Sequence, residues 1–378
     1  GDLNADDRKA VEVALKFVER AVLRIDDLDA GRRMFARADA GLMFLRLGDS
    51  ERGQALVETA ANEWSENSQG ESSNSYIIVT IAQGLAWTDV PRALAYLETG
   101  SDESLKAQIR SRVILEVAKF DVPRALALLN DSKYAPARDI YNDSLKFDLA
   151  YRIGPVDPQK AADLVESIGN PRTKAEACGW TAVAVSAADP KLARSLIDQG
   201  LSLLRNERAP ASGSFYYEYV PGVAAHLAQQ ASQIKHPEIE SIVQQALALR
   251  IPADPQTSTV SRLQSTVNAA LFLAFVDPAA ARRLLADLEP AVKGNLLGDG
   301  GYASVGRREW YYAWILADPE HAVELLQAEL EKVKDPKDKN QTPWQLQEAF
   351  TFLSLPASER LDYILEFAVA NLSKPYQE

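Results

Sequence analysis

Apolar residues recur at three- and four-residue steps along most of this chain, the period of helices with one buried face. Over residues 4–29 the stripe is Val11, Ala14, Leu15, Val18, Val22 and Leu23, and Asp6 and Asp7 favour the N-terminal end of that helix. Further apolar, alanine-containing helices are predicted over 76–87, 109–120, 140–153, 175–187, 260–275 and 309–316. Each is followed by the same punctuation.

That punctuation is clearest at Asp318-Pro319: an Asp, a Pro one or two places on, an Ala four places after the Asp, and apolar residues at seven and eight, here Ala322, Leu325 and Leu326. Asp caps a helix by accepting a backbone N–H, and Pro is tolerated in the first turn, so each copy predicts a new helix start. Copies begin at Asp89 (Ala93, Leu97), Asp121 (Ala125, Leu128), Asp157 (Ala161, Leu164), Asp189 (Ala193, Leu196) and Asp277 (Ala281, Leu284). A weaker one stands at His236-Pro237-Glu238. Seven residues before the Asp, Ala82, Ala150, Ala182 and Ala270 leave room for two helices to approach closely. With Asp49 the anchors number eight, at intervals of 32 to 47 residues, the length of a helical hairpin.

The pair over residues 32–64 carries Gly41-Leu42, then Leu47-Gly48-Asp49, Ala55-Leu56 and Ala60-Ala61. Small residues at a helix crossing and a Gly-Asp turn between the helices give it the form of a tetratricopeptide repeat, which it resembles. Gly53 stands where that family usually has Ala, and the family's Trp, Gly and Tyr positions in the first helix are mostly absent elsewhere in the chain. The resemblance implies an all-α fold, an α-α superhelix or solenoid of antiparallel helical hairpins. It also orders the chain: a capping helix over 1–31, about eight hairpins over 32–335, and closing helices over 336–378. Thr342-Pro343-Trp344-Gln345 reads as the helix start of that closing pair.

Composition narrows the function. A formal charge of −12 and a pI near 5.0 argue against nucleic-acid binding and against a basic membrane-surface protein. The longest apolar runs, such as 269–276, fall far short of the ~20 residues that span a bilayer, so no membrane insertion is expected. Cys178 is the single cysteine, which excludes an intrachain disulfide and a thiolate cluster. A first residue other than Met favours an exported or periplasmic location over a cytoplasmic one.

The sequence offers little for catalysis. His226, His236 and His321 are the only histidines, without metal-ligand spacing, and Cys178 has no histidine close by in sequence. The expectation is no catalytic residue, no cofactor and no metal. The alternative is an enzyme on an α/α scaffold acting on carbohydrate, its paired carboxylates hidden among 53 acidic residues.

Two aromatic stretches stand apart. One is the glycine-rich segment from Gly294 to Gly306, followed by Arg307, Arg308, Trp310, Tyr311, Tyr312 and Trp314; the other surrounds Tyr216, Tyr217 and Tyr219. Tyr and Trp give large contact areas with a polar tip, and arginines pair with carboxylates. Against the plain alternative of core packing, these residues are assigned to a partner surface: Arg307, Arg308, Trp310, Tyr311, Tyr216, Tyr217 and Tyr219. The functional expectation is a non-catalytic scaffold for a protein or peptide, with charge favouring basic partners.

Overall fold

The computed structural model describes residues 5–67, 75–99, 103–134, 139–206, 220–249, 259–293 and 302–333, with parts of 349–363. The described residues are helical throughout and contain no β-strand. They form α1 (Ala5–Val22), α2 (Ala30–Arg46), α3 (Ser50–Asn67), α4 (Ser75–Leu85), α5 (Val90–Ala95), α6 (Glu103–Val117), α7 (Val122–Asn130) and α8 (Asp139–Ile153). There follow α9 (Pro158–Glu166), α10 (Pro171–Val185), α11 (Pro190–Asn206), α12 (Val220–Gln233), α13 (Ile239–Ala248), α14 (Thr259–Leu273), α15 (Pro278–Lys293), α16 (Tyr302–Ala317) and α17 (Pro319–Val333).

Every predicted Asp anchor is a helix cap. Asp49, Asp89, Asp121, Asp157, Asp189, Asp277 and Asp318 each accept the backbone N–H three residues on, at 2.9–3.2 Å. From Asp89 to Asp318 the same residues also close the helix before them, their own N–H groups donating to the carbonyl four residues back at 2.7–2.8 Å. One residue thus finishes one helix and starts the next. The Ala four places on is fully buried at Ala93, Ala125, Ala161, Ala193, Ala281 and Ala322, and so are Ala82, Ala150, Ala182 and Ala270. At the weaker anchor no side chain caps the helix; His236 Nδ1 accepts the Glu238 N–H at 3.2 Å in the turn before it, after Lys235 at φ 53°.

The chain divides into two compact units, residues 1–145 and 146–378. In unit 1, α2, α4 and α6 pack in succession, and α3, α5 and α7 each pack on the helix before them. Helix α1 lies on α2, where Val18 joins Ile25, Ala40 and Phe44, with Leu15 and Val22 against them. Leu23, expected on that inner stripe, is instead 83% exposed, because the helix ends one residue earlier. Helices α2 and α3 cross at two glycines. A Cβ on Gly53 would lie 2.8 Å from the Gly41 carbonyl oxygen, so the departure from alanine at this place has a steric cause.

In unit 2, α10, α12, α14 and α16 pack in succession, with α11, α13, α15 and α17 each on the helix before it. A row of rings crosses the first helices: Tyr151 against Trp180 at 5.5 Å, Trp180 against His226 at 5.2 Å, and His226 stacked on Phe272 at 4.2 Å between centroids. Gly179 makes room beside this row, since a Cβ there would fall 1.8 Å from Gln230 Oε1.

Candidate functional site

Helix α16 carries the arginine and aromatic residues singled out above, and it is packed against α14, α15 and α17. Arg308, Trp310 and Tyr311 keep 7%, 2% and 3% of their surface, and Tyr312 and Trp314 are buried as well. Arg308 donates to Glu309 at 2.7 Å, and Tyr312 packs on Phe352 at 4.2 Å between centroids. The expectation that Arg308, Trp310 and Tyr311 meet a partner is therefore corrected: the rings are core. A helix apolar on every side is a buried helix, and the run Trp310-Tyr311-Tyr312-Ala313-Trp314-Ile315 has that character. Arg307 belongs to α16, but its side chain lies outside the described residues, as do Tyr216, Tyr217 and Tyr219 entirely.

Exposed aromatic and apolar surface sits in unit 1. Along α2, helical spacing puts Phe35, Asp39, Met43 and Arg46 on one face, and Phe35 and Met43 are 41% and 39% exposed. On α4 and the turn after it, Tyr76, Thr80, Gln83 and Trp87 follow the same spacing, with Tyr76 78% exposed. Just past α6, Phe120 is 45% exposed and lies against Trp87, 4.9 Å between ring centroids.

A buried carboxylate ties these three helices together. Glu116 keeps 2% of its surface. It accepts from Arg46 Nε at 2.8 Å and Nη2 at 2.7 Å, from Lys119 Nζ at 2.8 Å and from Trp87 Nε1 at 3.1 Å. Burial alone would raise its pKa, and this is the largest single influence. The hydrogen bonds and charges of Arg46 and Lys119 together exceed it and hold the carboxyl below its ordinary value. Asp39 shows the opposite balance: burial raises its pKa and Arg46 only partly offsets the shift. Arg46 spans both oxygens of Glu116, and Lys119 and Trp87 also donate to Oε1, so the group acts as a clamp between the helices.

Two of the nucleophile and base candidates of unit 2, Cys178 and His226, are buried and uncharged. Cys178 is fully buried and burial pushes its thiol up to about 12. Burial lowers His226 to about 3, so its imidazole is neutral at physiological pH. Its Nε2, Thr181 Oγ1, Gln229 Oε1, Gln230 Nε2 and Ser265 Oγ are buried without a hydrogen-bond partner among the described residues. No group of three or more His, Cys, Asp or Glu side chains is placed to hold a metal ion among the described residues, and no described helix is long and apolar enough to cross a membrane.

Sequence reasoning missed the surface on α2, α4 and α6 because its members lie on three helices, and Arg46 and Glu116 are 70 residues apart. The available signal was the apolar Phe35 and Met43 in a helix whose other apolar positions already form a complete inner stripe. No protein-family model, no curated protein and no solved structure matches this chain.

Proposed function

We propose that the chain is a non-catalytic scaffold of stacked, tetratricopeptide-like helical hairpins that binds a protein or peptide through the face formed by α2, α4 and α6. The observation carrying this reading is the exposure of Phe35 and Met43 on α2, Tyr76 on α4 and Phe120 just past α6, on helices held by the Arg46–Glu116–Trp87 clamp. A preformed face with apolar side chains already in place loses little side-chain entropy on binding. The half-buried Asp39 beside them suits a partner that brings a basic side chain to apolar anchors.

The test begins with peptides selected from a displayed random library against the wild-type protein. Met43→Glu together with Phe120→Ser should weaken the selected peptides by about thirtyfold, the loss of roughly 2 kcal/mol typical of a truncated anchor. The helical circular dichroism should remain unchanged. Peptides that bind both proteins equally would show that this face is not the binding surface.

A further inference from the structure

Helix α1 has a second apolar face that its packing on α2 does not use. Val11, Ala14, Leu15, Val18 and Val22 recur at three- and four-residue steps and turn inward. Val13 and Phe17, one turn apart on another side, are 61% and 71% exposed. Lys16 and Arg20 continue that side at the spacing i, i+3, i+4, i+7, and the exposed Leu23 and Arg24 follow at its end. The outer face is thus an apolar pair flanked by three cations.

The charge of this face runs against the chain as a whole, which has 53 acidic and 41 basic residues. Two of the neighbouring carboxylates are taken by other arginines. Glu19 is engaged by Arg52 at 2.6 Å and Asp26 by Arg37 at 2.5 Å, both arginines belonging to the helices beneath. Lys16, Arg20 and Arg24 form no ion pair among the described residues. Two adjacent large apolar side chains left in water mark a contact surface more than a single one would, and the cations around them define the charge of what it contacts.

We infer that the outer face of α1 docks an acidic amphipathic helix of a partner protein: apolar side chains over Val13 and Phe17, and carboxylates against Lys16, Arg20 and Arg24. This surface is separate from the α2–α4–α6 face and does not depend on that reading. A bilayer of anionic lipid fits less well, because membrane insertion scales with buried apolar area and Val13 and Phe17 offer only two large apolar side chains on this face. A second copy of the chain, entering face to face, would set these cations against each other.

The probe is a displayed library of helical peptides with Leu fixed at i, i+3, i+4 and i+7 and with Glu, Gln or Lys allowed at the flanking positions, selected on the full chain. Glu should be enriched over Lys at the flanking positions. Selected peptides should bind at least tenfold more weakly to Lys16→Glu/Arg20→Glu and to Val13→Ser/Phe17→Ser, with circular dichroism unchanged, and binding should weaken as salt rises. Replacing Glu by Lys in a selected peptide should restore binding to the charge-reversed variant. Absence of enrichment, enrichment of Lys, or binding indifferent to both variants overturns the inference. So does flotation of the wild type with phosphatidylserine vesicles that Val13→Ser/Phe17→Ser abolishes, or a dimer in sedimentation that the same variant dissociates.

Discussion

The two units use the same building blocks to opposite ends. Among the described residues, unit 1 leaves Val13, Phe17, Phe35, Met43, Tyr76 and Phe120 in water and holds its helices with arginine clamps, Arg46 on Glu116 and Arg92 on Glu58. Unit 2 leaves a single large apolar side chain, Val156, comparably exposed and turns its rings inward, along Tyr151–Trp180–His226–Phe272 and through α16. Ion pairs stitched across neighbouring helices free apolar residues for the surface; rings stacked across neighbouring helices consume them. An aromatic cluster therefore marks an interface only where something else supplies cohesion.

The sharpest way to break this contrast is to truncate one large side chain from each unit. Trp310→Ala should cost about 4 kcal/mol in urea unfolding, as expected for a large buried ring, whereas Met43→Ala should cost under about 0.5 kcal/mol, as at an ordinary surface position. A neutral Trp310→Ala would return α16 to the list of contact surfaces.

Acid should separate the units next. A neutral buried histidine has its folded pKa below its unfolded value, so its contribution is complete above 6.5, declines as pH falls through 6.5, and is exhausted near 3. By pH 5 the loss amounts to about 2 kcal/mol. Glu116, held below its ordinary 4.5, contributes fully above that value and loses its contribution only as pH drops beneath it. Hydrogen exchange followed by mass spectrometry from pH 7 to pH 5 should show α12 loosening while α6 stays protected, and His226→Phe should remove the difference. Equal loosening of both helices would contradict the assignment.

The smallest effect concerns the crossing of α2 and α3. Gly53→Ala gains about 1 kcal/mol of helix propensity and meets the Gly41 carbonyl oxygen, an overpacking that costs about 1–3 kcal/mol. A net loss of about 1 kcal/mol, read as a lower thermal midpoint, is expected. A gain would mean that the helices separate at little cost.

These contrasts also show which features a sequence makes legible. The Asp anchors were readable because a cap is a bond between residues three apart, so the chemistry and its position are written together. Gly53 was visible as a departure, but its reason lay across the helix pair in Gly41. The α16 aromatics were noticed and misassigned: composition gives the area of a ring, and only the packing of α14, α15 and α17 gives the direction it faces. Phe17 escaped notice because an inward stripe accounts for the helix without it. The clamp on Glu116 had little local signal: Lys119 stands three residues on, but Trp87 and Arg46 lie 29 and 70 residues away in sequence.

The Asp joints have a consequence for how such a chain changes length. Because each joint is closed by bonds within a handful of residues on either side, the turn inside a helical pair has one permitted span. The intervals between anchors nevertheless run from 32 to 47 residues. The slack lies in the length of the second helix of each pair, 6 residues in α5 against 17 in α11, and in the connectors between pairs. Insertions, tags and grafted loops belong there, and the pair bounded by its Asp is the natural unit for duplication or exchange.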